Sequence, residues 1–223
     1  MKITQSLLLS LRFPIVLAVL LLQLSPVMAQ YNWKLSTEKD GIKVFTSEVA
    51  DSKIKALRVE CNFKTTLSQL TAVLLDIKTA PEWVYQTKSC VLLKQVSPAD
   101  LYYYSEVKLP WPVSNRDFVA HLVTTQNPET KVVTIDGPVV SGMVPEKDGI
   151  VRVDHSKGKW VLIPQDNGEV KIEYTLQTDP GGSIPAWVVN MFASEGPMQS
   201  FKRLKLQLQK PAFKNASLPF IRN

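Results

Sequence analysis

With two cysteines and two histidines in 223 residues, the chain has neither the thiolates of a Cys₄ structural zinc site nor the imidazoles of a His₃ catalytic one. Glycine is sparse, at nine residues, and none of it builds a phosphate-cradling loop or a dinucleotide fingerprint. The Gly-x-Ser-x-Gly elbow and the His-Glu-x-x-His pair are also missing, which removes the commonest hydrolase and metalloprotease signatures. Low-complexity stretches and internal repeats are absent. With 45% hydrophobic and 21% charged residues, the chain is no collagen, disulfide mini-scaffold or wholly disordered segment. Its net charge of +6 permits an anionic partner without requiring one.

What is present begins with an export pattern. Lys2 and Arg12 precede an apolar run from Phe13 to Leu22, and Val27-Met28-Ala29 places small residues at the −3 and −1 positions. The run is half the roughly 20 residues a spanning helix needs, and Pro26 breaks helix after it. The expectation is a cleavable signal peptide over 1–29 and a mature chain in the periplasm or outside the cell. In such a compartment Cys61 and Cys90 can oxidise; a disulfide and two buried free thiols are both open at this stage. Residues 1–29 hold two basic residues and no acid, so the mature chain carries +4. Beyond Glu195 there are six basic residues and no acid, which leaves residues 30–195 at −2. The basic character therefore sits at the end of the chain. That argues against a nucleic-acid groove and suits Lys202, Arg203, Lys205 and Lys210 resting on anionic lipid headgroups, or simply forming a solvated helix face.

Period-two alternation predicts strands at 42–47, 54–62, 90–95, 101–109, 118–125, 131–136, 150–154, 159–164 and 169–177. Asp166-Asn167-Gly168 is a hairpin turn, and the last three strands read as a meander. Apolar residues at spacings of three and four predict a helix over 66–77 with Thr66 as its cap, and Pro81-Glu82-Trp83 opens a further helical turn. A long helix over 184–209 should kink at Gly196-Pro197, because proline removes a backbone donor and clashes with the preceding turn. Residues 212–223 read as a loose tail. The whole of 30–210 is thus one α+β domain, followed by a tail over 211–223.

Three ordered blocks carry a family resemblance. The first is Trp33-x-Leu35 with Asp40-Gly41-Ile42-Lys43-Val44-Phe45. The second is Leu109-Pro110-Trp111-Pro112-Val113-Ser114-Asn115-Arg116-Asp117-Phe118-Val119. The third is Gly158-Lys159-Trp160-Val161-Leu162-Ile163-Pro164, with Asp179-Pro180-Gly181-Gly182-Ser183-Ile184-Pro185-Ala186-Trp187 beyond it. In this order they resemble the START family, the lipid-transfer domains related to steroidogenic acute regulatory protein. The resemblance implies a helix-grip fold: a curved antiparallel sheet wrapped around a long C-terminal helix, enclosing an apolar cavity for one lipid. No cofactor and a monomeric state are expected.

Several residues follow as candidates. Arg116 and Asp117 are neighbours in a strand, so they face opposite sides and at most one reaches a lumen. Tyr102, Tyr103, Tyr104 and Trp111 invite comparison with the aromatic cage of the family's choline-binding branch; alternation puts Tyr102 and Tyr104 on one face with Glu106 and Tyr103 on the other. The cholesterol-binding branch has a second arginine six residues after the first; here that position is Leu122, which weakens a sterol reading. Trp187, Met191, Phe192 and Met198 are expected to line or gate the cavity. Gly181 and Gly182 supply a sharp reversal before the last helix. Two competing readings remain: a helix-grip enzyme of polyketide cyclase type, using His121, Glu106 or Asp117 as its acid or base, and a module that binds another envelope protein. His155 reads as a solvated turn residue.

Overall fold

The computed structural model describes residues 31–49 and 55–223; the expected signal segment and Ile54 lie outside them. Strands β1 (Lys34–Lys39), β2 (Ile42–Ser47), β3 (Ala56–Lys64), β4 (Thr87–Ser97), β5 (Asp100–Val107), β6 (Asn115–Gln126), β7 (Val133–Pro138), β8 (Ile150–Arg152), β9 (His155–Pro164) and β10 (Glu169–Asp179) form one sheet. Its order is β1-β2-β3-β10-β9-β7-β6-β5-β4, with β8 attached to β6. All pairings on the main path are antiparallel, and β10 against β3 joins the late strands to the early ones. Between β3 and β4 lie α1 (Leu67–Leu75) and α2 (Ala80–Trp83). After β10 the chain forms α3 (Ala186–Asn190), a π-helical turn at Met191–Glu195, α4 (Gly196–Gln207) and α5 (Pro211–Lys214). The expected α+β helix-grip architecture is the one observed.

Local chemistry explains the boundaries. The Thr66 hydroxyl accepts a hydrogen bond from the Gln69 N–H at 3.1 Å, capping α1 as the sequence predicts. Gly168 closes the β9–β10 turn at φ 75°, the left-handed region that Asn-Gly favours. At Gly196-Pro197 the expected kink takes a specific form: the Gly196 N–H bonds to the Met191 carbonyl, five residues back. Pro197 has no N–H to continue the α ladder, and the π-turn absorbs the mismatch.

The core fills the concave face of the sheet. Phe201, Leu204 and Leu208 recur along one side of the final helix and are buried with Val44, Val59, Leu162 and Ile172. Two expectations need correction. The 150–154 segment does not extend the β9–β10 meander. It pairs parallel to the start of β6, Arg116 opposite Val151, because Arg152 is drawn to Asp117. The segment after Pro211 is not loose: Phe213 and Ile221 are buried. Asn223 Oδ1 accepts from the Ser68 N–H at 2.9 Å, and Gln126 exchanges two hydrogen bonds with the backbone of Arg222. The apolar residues of this segment cover α1, which a charge count could not reveal.

A polar network fastens the convex face. Asp117 is buried and receives Arg152 Nε at 2.7 Å, Arg152 Nη2 at 3.1 Å and the Tyr104 hydroxyl at 3.1 Å. Lys147 Nζ donates to the Tyr104 oxygen at 2.9 Å. Arg152 also holds the carbonyls of Val144 and Pro145, so the loop before β8 is tied to the sheet. Nearby, Glu106 accepts from Lys88 at 2.8 Å and from Asn115 at 3.0 Å. The Lys88 bond outweighs burial and holds the Glu106 carboxyl below its ordinary value of 4.5. A depressed carboxyl stabilises the fold above that ordinary value and loses its contribution as pH falls through the folded value. In urea titrations Glu106→Gln should be less stable than wild type at pH 7, and the difference should shrink below about pH 4.5. A difference constant from pH 7 to pH 3 would contradict this.

Candidate ligand cavity and its mouth

On β6 the residues Arg116, Phe118, Ala120 and Leu122 face the concave side. Their partners on β5 are Val107, Ser105, Tyr103 and Leu101. Phe118, Ala120 and Leu122 line an internal cavity of about 90 Å³, closed by Tyr103, Trp160 and Tyr174. A cross-strand pair of glycines makes the space: Gly137 on β7 lies opposite Gly158 on β9, and both line the cavity. A side chain at Gly137 would meet Leu122 Cδ2 at 2.8 Å. Trp160 is the wall between cavity and core, its ring centroid 4.3 Å from Tyr174 on one side and 5.5 Å from Phe201 on the other. Burial pushes the Tyr103 and Tyr174 phenols far above their usual range, so their hydroxyls stay neutral and can donate or accept a hydrogen bond.

At the end of the same β6 row lies a second, open hollow of about 290 Å³, with Arg116, Ser114, Pro112 and Val113 on one side and Gly182, Ser183 and Pro185 on the other. Arg116 is 4% exposed. Its Nε donates to the Pro180 carbonyl at 3.0 Å, Nη1 to Ser114 at 2.6 Å and Nη2 to Gly181 at 2.9 Å. Gly181 and Gly182 adopt φ of 66° and 64°, which turns those carbonyls toward the guanidinium and starts the reversal into α3.

The other candidates fall in different places. Tyr102 and Tyr104 lie on the convex face, so the aromatic cage expected of them does not face the cavity. Tyr102 stacks on His121 with ring centroids 4.0 Å apart, and Tyr104 belongs to the Asp117 network. Tyr103, the residue between them, is the one turned inward. Alternation fixes which residues share a face; the pairing with β6 decides which face is concave. His121, Glu106 and Asp117 are also convex, His121 Nε2 lying 2.8 Å from Asp100 Oδ1. Trp187 is half exposed on α3. Phe192 meets the Tyr85 ring at 5.5 Å, and Met198 packs on the core cluster. Met191 is partly buried in the π-turn. None of Trp187, Met191, Phe192 and Met198 lines either hollow.

Of the four basic candidates, Lys202 pairs with Asp40 at 2.7 Å and Lys210 with Glu82. Arg203 donates to Gln199 at 2.9 Å, and Lys205 is exposed. Of the lining residues, Tyr103 is among the aromatics that the sequence suggests, whereas the sequence does not point to Phe118 and Trp160 as ligand contacts. Its one available signal was the presence of Gly137 and Gly158 within otherwise alternating segments.

A curved sheet gripping a C-terminal helix, with an apolar cavity against the inner faces of β5, β6, β7, β9 and β10 and an open hollow at the end of β6, defines a class of helix-grip domains. The chain belongs to the START domain family, whose model matches residues 20–213. It is 35% identical over 185 residues to the uncharacterized protein PA1579 of Pseudomonas aeruginosa, covering 80% of this chain and 88% of that one. It is 29% identical to the phosphatidylcholine transfer protein of Bos taurus, over 77% of this chain and 81% of that protein. Among solved structures it resembles a STAR-related lipid transfer protein from Xanthomonas axonopodis, with a TM-score of 0.73 and 31% identity over 80% of this chain and 99% of that one.

Both cysteines are free thiols on concave strands. Burial pushes the Cys61 thiol up to about 12 and raises that of Cys90 as well. The thiolate is the reactive form, so native protein at pH 8 should leave Cys61 unlabelled by iodoacetamide until urea unfolds it. Labelling of Cys61 in the folded protein at the rate of a free thiol would contradict its placement.

Proposed function

We propose that this protein binds one lipid, or a molecule of similar hydrophobicity, between the sheet and the last helix, and carries it between membranes in an exported compartment. The observation that carries the reading is the concave cavity, whose walls are aromatic and aliphatic and whose polar groups, at Tyr103, Tyr174 and Ser156, are neutral hydroxyls. The driving force is burial of apolar ligand surface, at roughly 25 cal/mol per Å². Membership of the START family supports the same reading, as does the similarity to the phosphatidylcholine transfer protein of Bos taurus and the STAR-related lipid transfer protein of Xanthomonas axonopodis. A volume of about 90 Å³ is below the roughly 300–1,000 Å³ of small-molecule pockets, so admission of a lipid requires the helix and sheet to part. The π-turn beside Gly196-Pro197 is the natural hinge, since it holds no buried residue and its hydrogen bonding already departs from the α pattern.

The lining supports carriage over catalysis. The acid–base groups considered for a cyclase, His121, Glu106 and Asp117, face away from the cavity, and the two inward tyrosines hold their protons. Leu122 lines the cavity, at the position where the cholesterol-binding branch carries its second arginine, so the ligand is proposed not to be a sterol. Replacing Ala120 by Trp should fill the cavity from the strand side. Native mass spectrometry of wild type should show one co-purified lipid per monomer, and Ala120→Trp should lose most of it while remaining folded. Wild-type protein that is empty and moves no lipid between liposomes would overturn the reading.

Export is supported by Lys2, Arg12 and the apolar run that follows them. Contact with a membrane is supported by the rim of the mouth, where Trp111 is 91% exposed and Trp187 51% exposed. Indole rings favour the water–lipid interface. The basic residues are a weaker anchor, because Lys202 and Lys210 already hold carboxylates. Liposome flotation should therefore show a larger loss for Trp111→Ala with Trp187→Ala than for Lys202, Arg203, Lys205 and Lys210 all replaced by Ser. The reverse order would place the contact on the helix end.

A further inference from the structure

We propose that the open hollow at the mouth is an anion site, with Arg116 as its charge, and that it takes a phosphate group. The inference rests on the lipid-carrier reading in one respect: it assigns that phosphate to the headgroup of a phospholipid whose chains occupy the cavity.

Arg116 has five N–H donors, and the carbonyls of Ser114, Pro180 and Gly181 account for three of them, one on each nitrogen. The two left over, one on each Nη, have no acceptor among the described residues. A carbonyl satisfies a donor and leaves the charge unbalanced. Among the described residues no carboxylate lies within ion-pair distance of this guanidinium. Its neighbour Asp117 faces the other side of the sheet and is committed to Arg152. None of the residues lining the hollow is acidic. Burial works against the Arg116 charge with no carboxylate to offset it. Compare Arg58, which meets Glu60 and Glu173, and Arg152, which meets Asp117. Arg116 alone among these three arginines is held by neutral groups.

The hollow is matched to an oxyanion in charge and form. A guanidinium with one N–H left on each terminal nitrogen retains two donors for the oxygens of an anion, and a single unbalanced positive charge is met by the single negative charge of a phosphodiester. Position supplies the rest. Arg116 is followed on the same strand face by Phe118, Ala120 and Leu122, so the cationic hollow and the apolar cavity succeed one another along one strand row, about 7 Å apart between Arg116 and Phe118. A molecule satisfying both carries an anion at one end and hydrocarbon next to it. Gly182 lies against the guanidinium, where an added Cβ would sit 3.6 Å from Arg116 Nη2.

Replacing Arg116 would break three backbone contacts and endanger the fold, so the decisive variant is Ser183→Asp, which sets a negative charge in the wall of the hollow and leaves those contacts in place. The purified protein is offered liposomes containing equal amounts of phosphatidylglycerol and of the diacylglycerol with the same chains, and the extracted lipid is counted by mass spectrometry. Wild type should favour the phospholipid by about tenfold or more, the value of a charge-assisted hydrogen-bonded pair. Folded Ser183→Asp protein should lose that preference. Calorimetry with inorganic phosphate is the second arm: binding that Ser183→Asp weakens about tenfold, with no preference between the two lipids, keeps the anion site and assigns it to free phosphate. A protein that extracts neither lipid but binds phosphate in this way keeps the anion site and removes the lipid-carrier reading. Extraction of both lipids in a ratio that Ser183→Asp does not change, with no phosphate binding, overturns the anion site and leaves the carrier reading intact. If neither lipid nor phosphate binds, both fall.

Discussion

A ten-stranded sheet curled around one helix exposes more concave apolar face than that helix can cover, and the rest of the molecule follows from this mismatch. An α-helix is about 10 Å across with its side chains. Here it meets the β2, β3, β9 and β10 part of the sheet through Phe201, Leu204 and Leu208. The strands beyond, β5, β6 and β7, keep inward-facing residues that the helix does not reach. Gly137 and Gly158 withhold side chains at that point, so the gap is not closed from the sheet side either. Trp160, between Tyr174 and Phe201, marks where packed core ends and cavity begins. The same residue therefore faces packed core on one side of its ring and open volume on the other.

Much of this architecture was legible in the sequence because it depends on local chemistry. The Thr66 cap, the Asn167-Gly168 turn and the Gly196-Pro197 interruption each have a cause within a few residues, and each appears where that cause predicts. The features that were not legible depend on partners distant in sequence. Tyr102, Tyr103 and Tyr104 alternate correctly, yet only their register against β6 decides that Tyr103 is the inward one. The parallel pairing of β8 depends on Arg152 finding Asp117 across 35 residues. The last segment looked loose because its apolar residues are scattered, and it is their common contact with α1 that fixes them. Hollow against filled was beyond the pattern altogether, since a strand face with period two is written identically in both cases. Glycines in mid-strand were the one local trace of the gap.

Arg116 and the Pro180-Gly181-Gly182 turn connect the two regimes. The guanidinium draws together the end of the β5–β6 loop and the reversal that launches the final helix, so the start of that helix is tied to the sheet beside the open hollow. The π-turn further along gives that segment a compliant point without detaching α4, whose Leu204 stays fully buried. Irregular and tightly packed turns are thus neighbours in one helix.

The convex face gives this division a mechanical sense. Asp117, Arg152, Tyr104 and Lys147 bind β5, β6 and the loop before β8 from outside, and none of these bonds crosses the cavity. The sheet is in effect a braced shell, with its stiffening ribs on the outer surface and its variable volume inside. Strand register is then independent of how full the interior is. In the proposed carrier, swelling on the inner side is taken up by the helix and not by the wall.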